Sequence, residues 1–406
     1  MERAQLMQVL EKTGCAEPHG GYVFLCDPKW GAQERGQFKK LAAAAEKKAP
    51  PETGWLCLPT GGTSGRLRFA RHDERTLAAA VRGFCGHCGL RRVNAVDVLP
   101  PFHVSGLMAR VRCAATGGAH KPWSWEDLKA GKFRKLPRRP DGWVLSLVPT
   151  QLHRMLSSGE NALAWLHQFG TIFLGGAPVW PALAEAAANA KLPVALSYGM
   201  TETAAMIAAQ SPADFAAGQR DSGRPMPHAR IEITDPDAGA KTNAPVPKGE
   251  TGLVRVSGDS VFRGYFSAAA ADGGASRKKT VFQTEDLAFW DEHGGLNIVG
   301  RRDAVINTGG KKVFSSEVET ALRASGVFAD VVVLGLPDAE WGQCVVACYP
   351  AKSGARLDRA RVESALHSIA AHKWPKQYVP VADWPRNMQG KLSRAALIEA
   401  ARAFVR

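Results

Sequence analysis

The stretch Thr171-Ile172-Phe173-Leu174-Gly175-Gly176-Ala177-Pro178 is a short apolar run that ends in glycines and a proline. Runs of this length, too short for a helix, are typical of strands buried on both faces of a sheet. Similar runs occur at 143–148, 194–196 and 331–334. Alanine-rich helical periodicity lies among them, at 37–47, 76–84, 180–190 and 318–324. This alternation predicts an α/β fold layered around mainly parallel sheets.

The pattern of apolar and polar residues changes near residue 229. Arg230-Ile231-Glu232-Ile233-Thr234 and Gly252-Leu253-Val254-Arg255-Val256 alternate polar and apolar residues between turn signals, which predicts a small antiparallel β region. A polar, glycine-rich string at 300–310 then precedes a last block with strand and helix signals of its own. We therefore expect a hinge or linker at 300–310, between a domain of residues 1–302 and a C-terminal α+β domain of residues 303–406.

The composition is that of an ordinary globular protein, with 406 residues, 45% of them hydrophobic and 22% charged. The sequence has no run of 18 apolar residues and does not begin like a secretion signal, so we expect a cytoplasmic protein without a membrane partner. The eight cysteines are scattered, which favours reduced thiols. The sequence leaves a homo-oligomer open.

The net charge of +14 invites a nucleic-acid hypothesis. However, the basic residues are dispersed and no nucleic-acid-binding motif accompanies them, so we expect no nucleic-acid partner; basic charge also suits anionic small substrates. Cys85-Gly86-His87-Cys88 has the spacing of a zinc or redox site. No second ligand pair lies at matching spacing, and we predict no such site.

A phosphate-binding loop is predicted at Leu58-Pro59-Thr60-Gly61-Gly62-Thr63-Ser64-Gly65-Arg66-Leu67-Arg68. Glycines let backbone N–H groups approach an oxyanion, and hydroxyls and a cation complete its coordination. A plain surface turn explains the string alone about as well, and the spacing excludes a P-loop. The residues expected to contact phosphate are Thr60, Gly61, Gly62, Thr63, Ser64, Gly65 and Arg68.

This string resembles the phosphate loop of adenylate-forming, or AMP-binding, enzymes, S/T-G-T-T-G-x-P-K, with Leu67 for the proline and Arg68 for the lysine. The family's other signatures follow in the right order. Gly175, Gly176 and Ala177 resemble its adenine-side loop, and Ser197-Tyr198-Gly199-Met200-Thr201-Glu202 is similar to its Y-G-x-T-E signature. The resemblance implies that Tyr198 stacks on adenine, that Gly199 is part of the ATP site, that Thr201 meets the α-phosphate, and that Glu202 binds magnesium.

Three further signatures lie towards the C-terminus. Thr284-Glu285-Asp286 resembles T-G-D, whose aspartate binds ribose, with Glu285 replacing the glycine. Gly300-Arg301-Arg302-Asp303 resembles G-R-x-D, which implies that Arg301 approaches ribose and that Asp303 is a hinge. The string from Pro385 to Arg394 matches P-R-x-x-x-G-K-x-x-R, in which Lys391 is the adenylation lysine. These implied roles make Lys391, Thr201 and Glu202 candidate catalytic residues.

Two strings resemble the o-succinylbenzoate-CoA ligase subfamily of menaquinone and phylloquinone biosynthesis: Leu99-Pro100-Pro101-Phe102-His103-Val104-Ser105-Gly106-Leu107, and 146–154. His103 is expected at the acyl site, as a substrate-binding, gating or catalytic residue. Arg154 is expected to start a helix near the strand end and to bind the second carboxylate of the acid. The stretch before the phosphate loop is shorter than in most members, which predicts a reduced N-terminal subdomain.

The resemblance implies the fold and activity of an ATP-dependent acid-CoA ligase: a large N-terminal domain, and a mobile C-terminal domain carrying Lys391. The expected substrates are a small carboxylic acid, ATP with magnesium, and CoA; the acid is activated as an acyl-adenylate and passed to the thiol of CoA. Another aryl- or acyl-CoA ligase is the alternative. A degenerate nucleotide-binding protein is disfavoured because Glu202, Asp286 and Lys391 are intact.

Overall fold

The structure is a computed structural model that describes residues 1–60, 67–236, 244–267, 281–328, 330–351, 357–385 and 393–405. These residues form four β-sheets with helices packed against them. The α/β class and the division into a large N-terminal and a smaller C-terminal part are confirmed. In the described ranges, no helix is long and apolar enough to cross a membrane.

The first sheet lies in the N-terminal region and has the strand order β1-β2-β3-β4. Its elements are α1 (Arg3–Glu11), β1 (Ala16–His19), β2 (Tyr22–Leu25), α2 (Ala32–Ala45), β3 (Leu56–Thr60) and β4 (Arg68–His72). Strands β2 and β3 are parallel and the other neighbours antiparallel. The phosphate-loop residues 61–66 join β3 to β4, so this sheet fixes both ends of that loop.

The second sheet has seven strands in the order β11-β10-β9-β8-β7-β5-β6. Its elements are α3 (Glu74–Cys88), β5 (Ala95–Asp97), α4 (Val104–Thr116), β6 (His120–Pro122), α5 (Trp125–Lys129), β7 (Val144–Leu147), α6 (Pro149–Leu156), α7 (Glu160–Leu166), β8 (Thr171–Leu174), α8 (Pro181–Asn189), β9 (Val194–Met200), β10 (Ala205–Ala209), α9 (Pro212–Ala216) and β11 (Arg224–Pro225). Strands β6, β5, β7, β8 and β9 are parallel, whereas β10 and β11 add on antiparallel. The loops after β8 and β9 therefore lie at one edge, where α/β sheets open their ligand clefts.

Burial on both faces explains why the apolar runs predict these strands so well. Leu145, Ile172 and Val194 are completely buried, and Leu183 of α8 packs into the same cluster.

Helix α3 begins at a capping box in which the carboxylate of Asp73 accepts hydrogen bonds from two backbone N–H groups of the first turn.

The third sheet is the antiparallel region predicted from the alternating pattern. Its strands, in the order β12-β13-β14-β15, are β12 (Arg230–Thr234), β13 (Gly252–Ser257), β14 (Val281–Trp290) and β15 (Leu296–Arg301). All neighbouring pairs are antiparallel. Apolar side chains such as Ile231 and Val254 are buried towards the second sheet, which leaves the alternating polar residues on the other face.

The last sheet is built from the C-terminal block. Its elements are β16 (Val305–Thr308), β17 (Lys311–Phe314), α10 (Ser315–Ala324), β18 (Val332–Asp338), β19 (Gly342–Pro350), α11 (Arg359–Leu366), β20 (Gln377–Val381) and α12 (Arg394–Val405). The expectation of a linker through 300–310 is wrong. Only the 3₁₀ turn Arg302–Ala304 separates β15 from β16. Although most of the residues at 300–310 are polar, Ile306 is buried, and the segment around it forms a strand.

Candidate functional site

The centre of the candidate site is the turn between β9 and β10. Strand β9 runs to Met200, beyond the predicted 194–196, and the 3₁₀ turn Thr201–Thr203 leads into β10. The hydroxyl of Thr203 accepts a hydrogen bond from the backbone N–H of Met200 at 3.1 Å and lies 2.8 Å from the carbonyl oxygen of Ala205. These contacts fix the backbone that presents Thr201 and Glu202.

The backbone of this turn tolerates few alternatives. A Cβ atom on Gly199 would overlap the carbonyl of Ala205, so the neighbouring strand passes too closely for a side chain. Ala204 and Ala205 have φ angles of +54° and +83°, which are unfavourable for residues with a Cβ. Strain of this kind persists only where surrounding contacts impose it, and it is enriched at functional sites.

Tyr198 and Asp286 meet between the second and third sheets. The Tyr198 hydroxyl donates a hydrogen bond to the Asp286 carboxylate at 2.6 Å, and the Arg301 guanidinium lies 3.4 Å from its other oxygen. Burial raises the pKa of Asp286, against the opposing effects of Tyr198 and Arg301. Burial, with the nearby Asp286 charge, also raises the pKa of Tyr198. The site thus holds a carboxylate that can accept hydrogen bonds from a vicinal diol.

His72 supports Thr201, and its role was missed at the sequence level. Its Nε2 lies 2.8 Å from the carbonyl oxygen of Thr201, and its Nδ1 lies 3.1 Å from the hydroxyl of Thr76. Burial lowers the pKa of His72 to about 4, so the ring is neutral at physiological pH. A single histidine in a strand carries no spacing signal, which is why the sequence did not reveal it.

Glu202 is held at both its backbone and its side chain. Its carbonyl accepts a hydrogen bond from the backbone N–H of Phe262 at 2.8 Å, and its Oε1 accepts one from the Tyr265 hydroxyl at 2.6 Å. Its Oε2 has no hydrogen bond or ion pair to any residue of the described ranges. A single carboxylate with an oxygen available fits Mg²⁺, which binds one or two carboxylates together with nucleotide phosphates and water.

The two ends of the phosphate loop lie beside this turn. Strands β3 and β4 both contact Thr201–Thr203. Thr60 is buried, and its hydroxyl forms no hydrogen bond within the described part of the chain. Arg68 stacks its guanidinium 4.7 Å from the ring centre of Tyr265. Gly61, Gly62, Thr63, Ser64 and Gly65 lie outside the described residues, so their predicted phosphate contacts remain predictions.

Leu67, which stands where the phosphate-loop pattern has proline, has a structural explanation. Its backbone N–H donates a hydrogen bond to the side-chain oxygen of Gln37 at 2.7 Å. Proline has no N–H and could not make this contact. The loop is therefore anchored to α2 at the position where the family pattern has a rigid ring.

The adenine-side loop follows β8 at the same edge of the sheet. Gly175 lies so close to β9 that a Cβ would be 2.7 Å from the hydroxyl oxygen of Ser197. Gly176 has a φ of +78°, which favours glycine, and Ala177 is exposed. The structure thus places this loop next to the strand that carries Tyr198.

Two exposed ion pairs occupy the predicted hinge. The guanidinium of Arg301 forms a two-pronged contact with Asp303 at 2.9 and 2.8 Å, and that of Arg302 forms one with Glu285 at 2.8 and 2.8 Å. The Arg301 hydrogen bond lowers the pKa of Asp303. Glu285, which replaces the glycine of the T-G-D pattern, therefore gives Arg302 a partner on β14.

Sequence comparison identifies the family of the chain. The family profile described as AMP-binding enzyme matches residues 2–266, and that of the AMP-binding enzyme C-terminal domain matches residues 317–391. The chain belongs to the family of AMP-binding enzymes. The expected family is therefore confirmed.

Individual relatives fall in the same family. The 2-succinylbenzoate–CoA ligase of Geobacillus kaustophilus is 31% identical, over 83% of this chain and 67% of the relative. The indoleacetate–CoA ligase of Aromatoleum aromaticum is 29% identical, over 87% of this chain and 68% of the relative. The match to o-succinylbenzoate CoA synthetase from Bacillus subtilis, in complex with its acyl-adenylate intermediate, has a TM-score of 0.71 at 22% identity and covers 98% of this chain and 81% of that chain. ATP-bound MatB from Rhodopseudomonas palustris also matches with a TM-score of 0.71, at 26% identity, over 90% of this chain and 73% of that chain.

In this AMP-binding enzyme, Lys391 lies outside the described residues, but its flanks are described. The backbone N–H of Ser393 donates to the carbonyl of Pro385 at 2.8 Å, which brings the two ends of the segment together. The guanidinium of Arg394 donates to the carbonyl of Val333 at 2.6 Å. The described residue that follows this segment, Arg394, is thus held against the last sheet.

The two residues assigned to the acyl site differ in their placement. His103 is the N-cap of α4, and its neighbour Phe102 packs in one cluster with Ala204 of the central turn. Arg154 does not start a helix as expected: α6 begins at Pro149, and Arg154 lies exposed in its last turn. Proline favours the first helical position, so the helix begins at Pro149, five residues before the predicted start at Arg154. The carboxylate-binding role of Arg154 stays a prediction that rests on the motif alone.

Cys85 and Cys88 lie on α3, and burial raises the pKa of both thiols, that of Cys88 to about 11. Protonated, partly buried thiols are poor nucleophiles and poor metal ligands. Among the residues that the structure describes, no group of three or more His, Cys, Asp or Glu side chains could hold a metal ion.

Proposed function

We propose that this AMP-binding enzyme is an ATP-dependent acid-CoA ligase that uses 2-succinylbenzoate. The observation that carries the proposal is the convergence of Tyr198, Asp286 and Glu202 at the edge where β9 ends, beside both ends of the phosphate loop. An aromatic ring, a diol acceptor and a carboxylate with one available oxygen match adenine, ribose and magnesium-bound phosphate. The named ligases among the relatives support thioester formation with CoA.

Two half-reactions follow from this proposal. The carboxylate of the acid attacks the α-phosphorus of ATP, the bond to the β-phosphate breaks, and pyrophosphate leaves. The CoA thiolate then attacks the carbonyl carbon of the mixed anhydride, and AMP leaves. Thr201, at the end of β9, would contact the α-phosphate, and bound magnesium would neutralise phosphate charge next to Glu202. Lys391 would place a positive charge between the attacking carboxylate and the α-phosphate.

The choice of acid is the less constrained part of the proposal. Relatives named for 2-succinylbenzoate and for indoleacetate are similar to this chain at 31% and 29% identity. Both acids are aromatic, but only the first has two carboxylates. A cationic side chain in the acid pocket would distinguish them, and Arg154 is the proposed selector. The alternative is an aryl-CoA ligase for a monocarboxylic acid.

The direct test measures pyrophosphate release and CoA thioester formation from Mg·ATP, CoA and each of 2-succinylbenzoate, indoleacetate and benzoate. We expect 2-succinylbenzoate to give the highest kcat/KM, and Lys391→Ala to lower pyrophosphate release at least about 10²-fold. Higher kcat/KM for indoleacetate would replace the acid assignment. Binding of Mg·ATP without pyrophosphate release for any acid would favour the degenerate nucleotide-binding protein.

Arg154 is tested with the same assay. Because charged hydrogen bonds contribute about 1.5 to 3 kcal/mol, Arg154→Ala should lower kcat/KM for 2-succinylbenzoate about 10- to 150-fold. Activity on an analogue that keeps the activated carboxylate and carries a methyl group in place of the second carboxylate should hardly change. Equal losses on both substrates, or no loss on either, would remove Arg154 from the acid site.

A further inference from the structure

Tyr265 lies where the metal carboxylate and the phosphate loop meet, and no signature of the sequence included it. It forms an isolated β-bridge with Ala70 of β4. On either side, the backbone N–H of Arg71 donates to the carbonyl of Gly264 at 2.9 Å, and that of Phe266 donates to the carbonyl of Phe69 at 2.8 Å. The backbone of Tyr265 is therefore fixed against the strand that leaves the phosphate loop.

The side chain of Tyr265 makes two different contacts at this position. Its hydroxyl donates a hydrogen bond to Oε1 of Glu202 at 2.6 Å, a distance typical of a charge-assisted bond from a hydroxyl to a carboxylate. One face of its ring lies under the guanidinium of Arg68, and the ring of Phe262 packs edge-on at 4.8 Å. One side chain thus joins the candidate metal ligand to the candidate phosphate cation.

The chemistry of the two contacts is complementary. The hydroxyl engages Oε1 and so orients Oε2 of Glu202, and Mg²⁺ requires near-ideal octahedral geometry from its ligands. Partners that orient a metal ligand commonly change metal affinity or activity by about 10- to 100-fold when removed. A planar guanidinium stacks on an aromatic ring, whereas a lysine ammonium lacks that plane. This explains why arginine at position 68 suits this chain.

We infer that Tyr265 is a positioning residue for adenylation, whose hydroxyl orients Glu202 for Mg²⁺ and whose ring orients Arg68 towards the phosphates. The inference rests on the proposed function, because it requires Mg·ATP to bind at this turn. Tyr265 itself transfers no proton and touches no reacting atom. Its effect should therefore appear as a changed requirement for metal and nucleotide.

The test compares wild type with Tyr265→Phe, which removes the hydroxyl but keeps the ring under Arg68. Pyrophosphate formation is measured against Mg²⁺ concentration at fixed ATP and acid. We expect the Mg²⁺ concentration at half-maximal rate to rise about tenfold, while the rate at saturating Mg²⁺ changes less than about threefold. Replacing Mg²⁺ by Mn²⁺, which binds more tightly to oxygen and nitrogen sites, should reduce the difference.

Binding is measured separately from activity. The thermal stabilisation by α,β-methylene-ATP is recorded as a function of Mg²⁺, and Tyr265→Phe should need about tenfold more Mg²⁺ for the same shift. Tyr265→Leu should in addition raise the KM for ATP, because Arg68 loses its support. Tyr349→Phe is the matched control: this tyrosine packs against Phe328 in the last sheet and should leave both measurements unchanged.

The outcomes separate this inference from the proposed function. If wild type releases no pyrophosphate with any acid, the ligase proposal fails while the Mg²⁺-dependent stabilisation still tests Tyr265. If wild type is active and Tyr265→Phe has the same Mg²⁺ dependence, Tyr265 is not a positioning residue. A lower unfolding temperature of the ligand-free variant, with an unchanged Mg²⁺ requirement, would likewise reduce its role to packing.

Discussion

The predicted nucleotide pocket and the predicted hinge differ in how deeply their charged groups are buried. In the pocket, Asp286 is 17% exposed, accepts a hydrogen bond from Tyr198 at 2.6 Å and lies 3.4 Å from the guanidinium of Arg301. At the hinge, the charged groups of Arg301, Arg302, Asp303 and Glu285 are 40% to 48% exposed. Exposed ion pairs contribute about 0 to 1 kcal/mol and are screened by salt. We therefore expect the pocket to keep one geometry and the predicted hinge to exchange its partners at low cost.

The largest effect should come from fixing the hinge backbone. Asp303→Pro fixes φ and removes an N–H, at a cost of about 3 kcal/mol or more in an incompatible conformation. We expect thioester formation to fall about 150-fold or more while pyrophosphate formation stays within about threefold of wild type. Stopped-flow measurement of the separate half-reactions checks this.

Asp303→Ala is the control for that variant, because it removes the carboxylate but leaves the backbone free. It should retain thioester formation. Wild-type rates for both half-reactions in Asp303→Pro would place the pivot elsewhere.

The next largest effect should lie in the pocket. Asp286→Asn keeps the shape of the side chain but removes its charge, and charged hydrogen bonds contribute about 1.5 to 3 kcal/mol. The kcat/KM for ATP should fall about 10- to 150-fold, equally at low and at 0.5 M salt. Steady-state kinetics in ATP measures this, with the exposed Asp383→Asn as control. A loss that disappears at high salt would contradict the comparison, since the pocket would then behave like the hinge.

Acid should weaken the pocket through His72. Its pKa is lowered from 6.5 to about 4, so the stability it contributes is present above pH 6.5 and is lost as the pH falls towards 4. Between pH 7 and pH 5 this loss is about 2 kcal/mol. His72→Gln should therefore lose about 2 kcal/mol less over that interval, as measured by denaturant unfolding.

Two other histidines bear on the interpretation of that measurement. The pKa of His228 is also lowered by burial to about 4, so part of the acid sensitivity should remain in the variant. The exposed His153→Gln should behave like wild type. Identical pH dependence in wild type and His72→Gln would mean that His72 is not buried as a neutral ring.

The smallest effect should come from the pair formed by Glu285 and Arg302. Glu285→Gln removes an exposed ion pair that joins the hinge to β14, so the hinge should exchange faster. We expect overall thioester turnover to rise about two- to fivefold at low salt and to match wild type at 0.5 M salt. The exposed Glu250→Gln is the control. Slower turnover, or a gain that persists at high salt, would show that the pair does more than restrain the hinge.

The sequence predicts the fold well where burial is complete. The run 171–174 coincides with β8, because a strand buried on both faces cannot contain a polar residue without a partner. The prediction fails at α6, where Pro149 is the first helical residue. Arg154 therefore lies near the end of that helix and not at its start. The prediction of a linker at 300–310 also fails, because the polar residues there outnumber the single buried residue, Ile306, around which β16 forms.

The candidate site also contains residues that the sequence predicts and residues that it does not. Residues in spaced signatures, such as Tyr198, Glu202 and Asp286, were found, and the structure brings them together around one turn. The sequence does not single out His72 or Tyr265, because each is an isolated residue far along the chain from the signature residue that it contacts. The only signal for Tyr265 is its glycine neighbour after an alternating β stretch, and many solvent-exposed turns share that pattern.

The contact between Leu67 and Gln37 has a consequence for engineering. Replacing unusual residues by the most frequent residue of a family is a common route to a more stable protein. At position 67 this substitution would introduce proline and delete the N–H that Gln37 binds, leaving an amide oxygen without its donor. A consensus design of this enzyme should keep residues 37 and 67 as a pair, because the frequency of each residue taken alone does not report their contact.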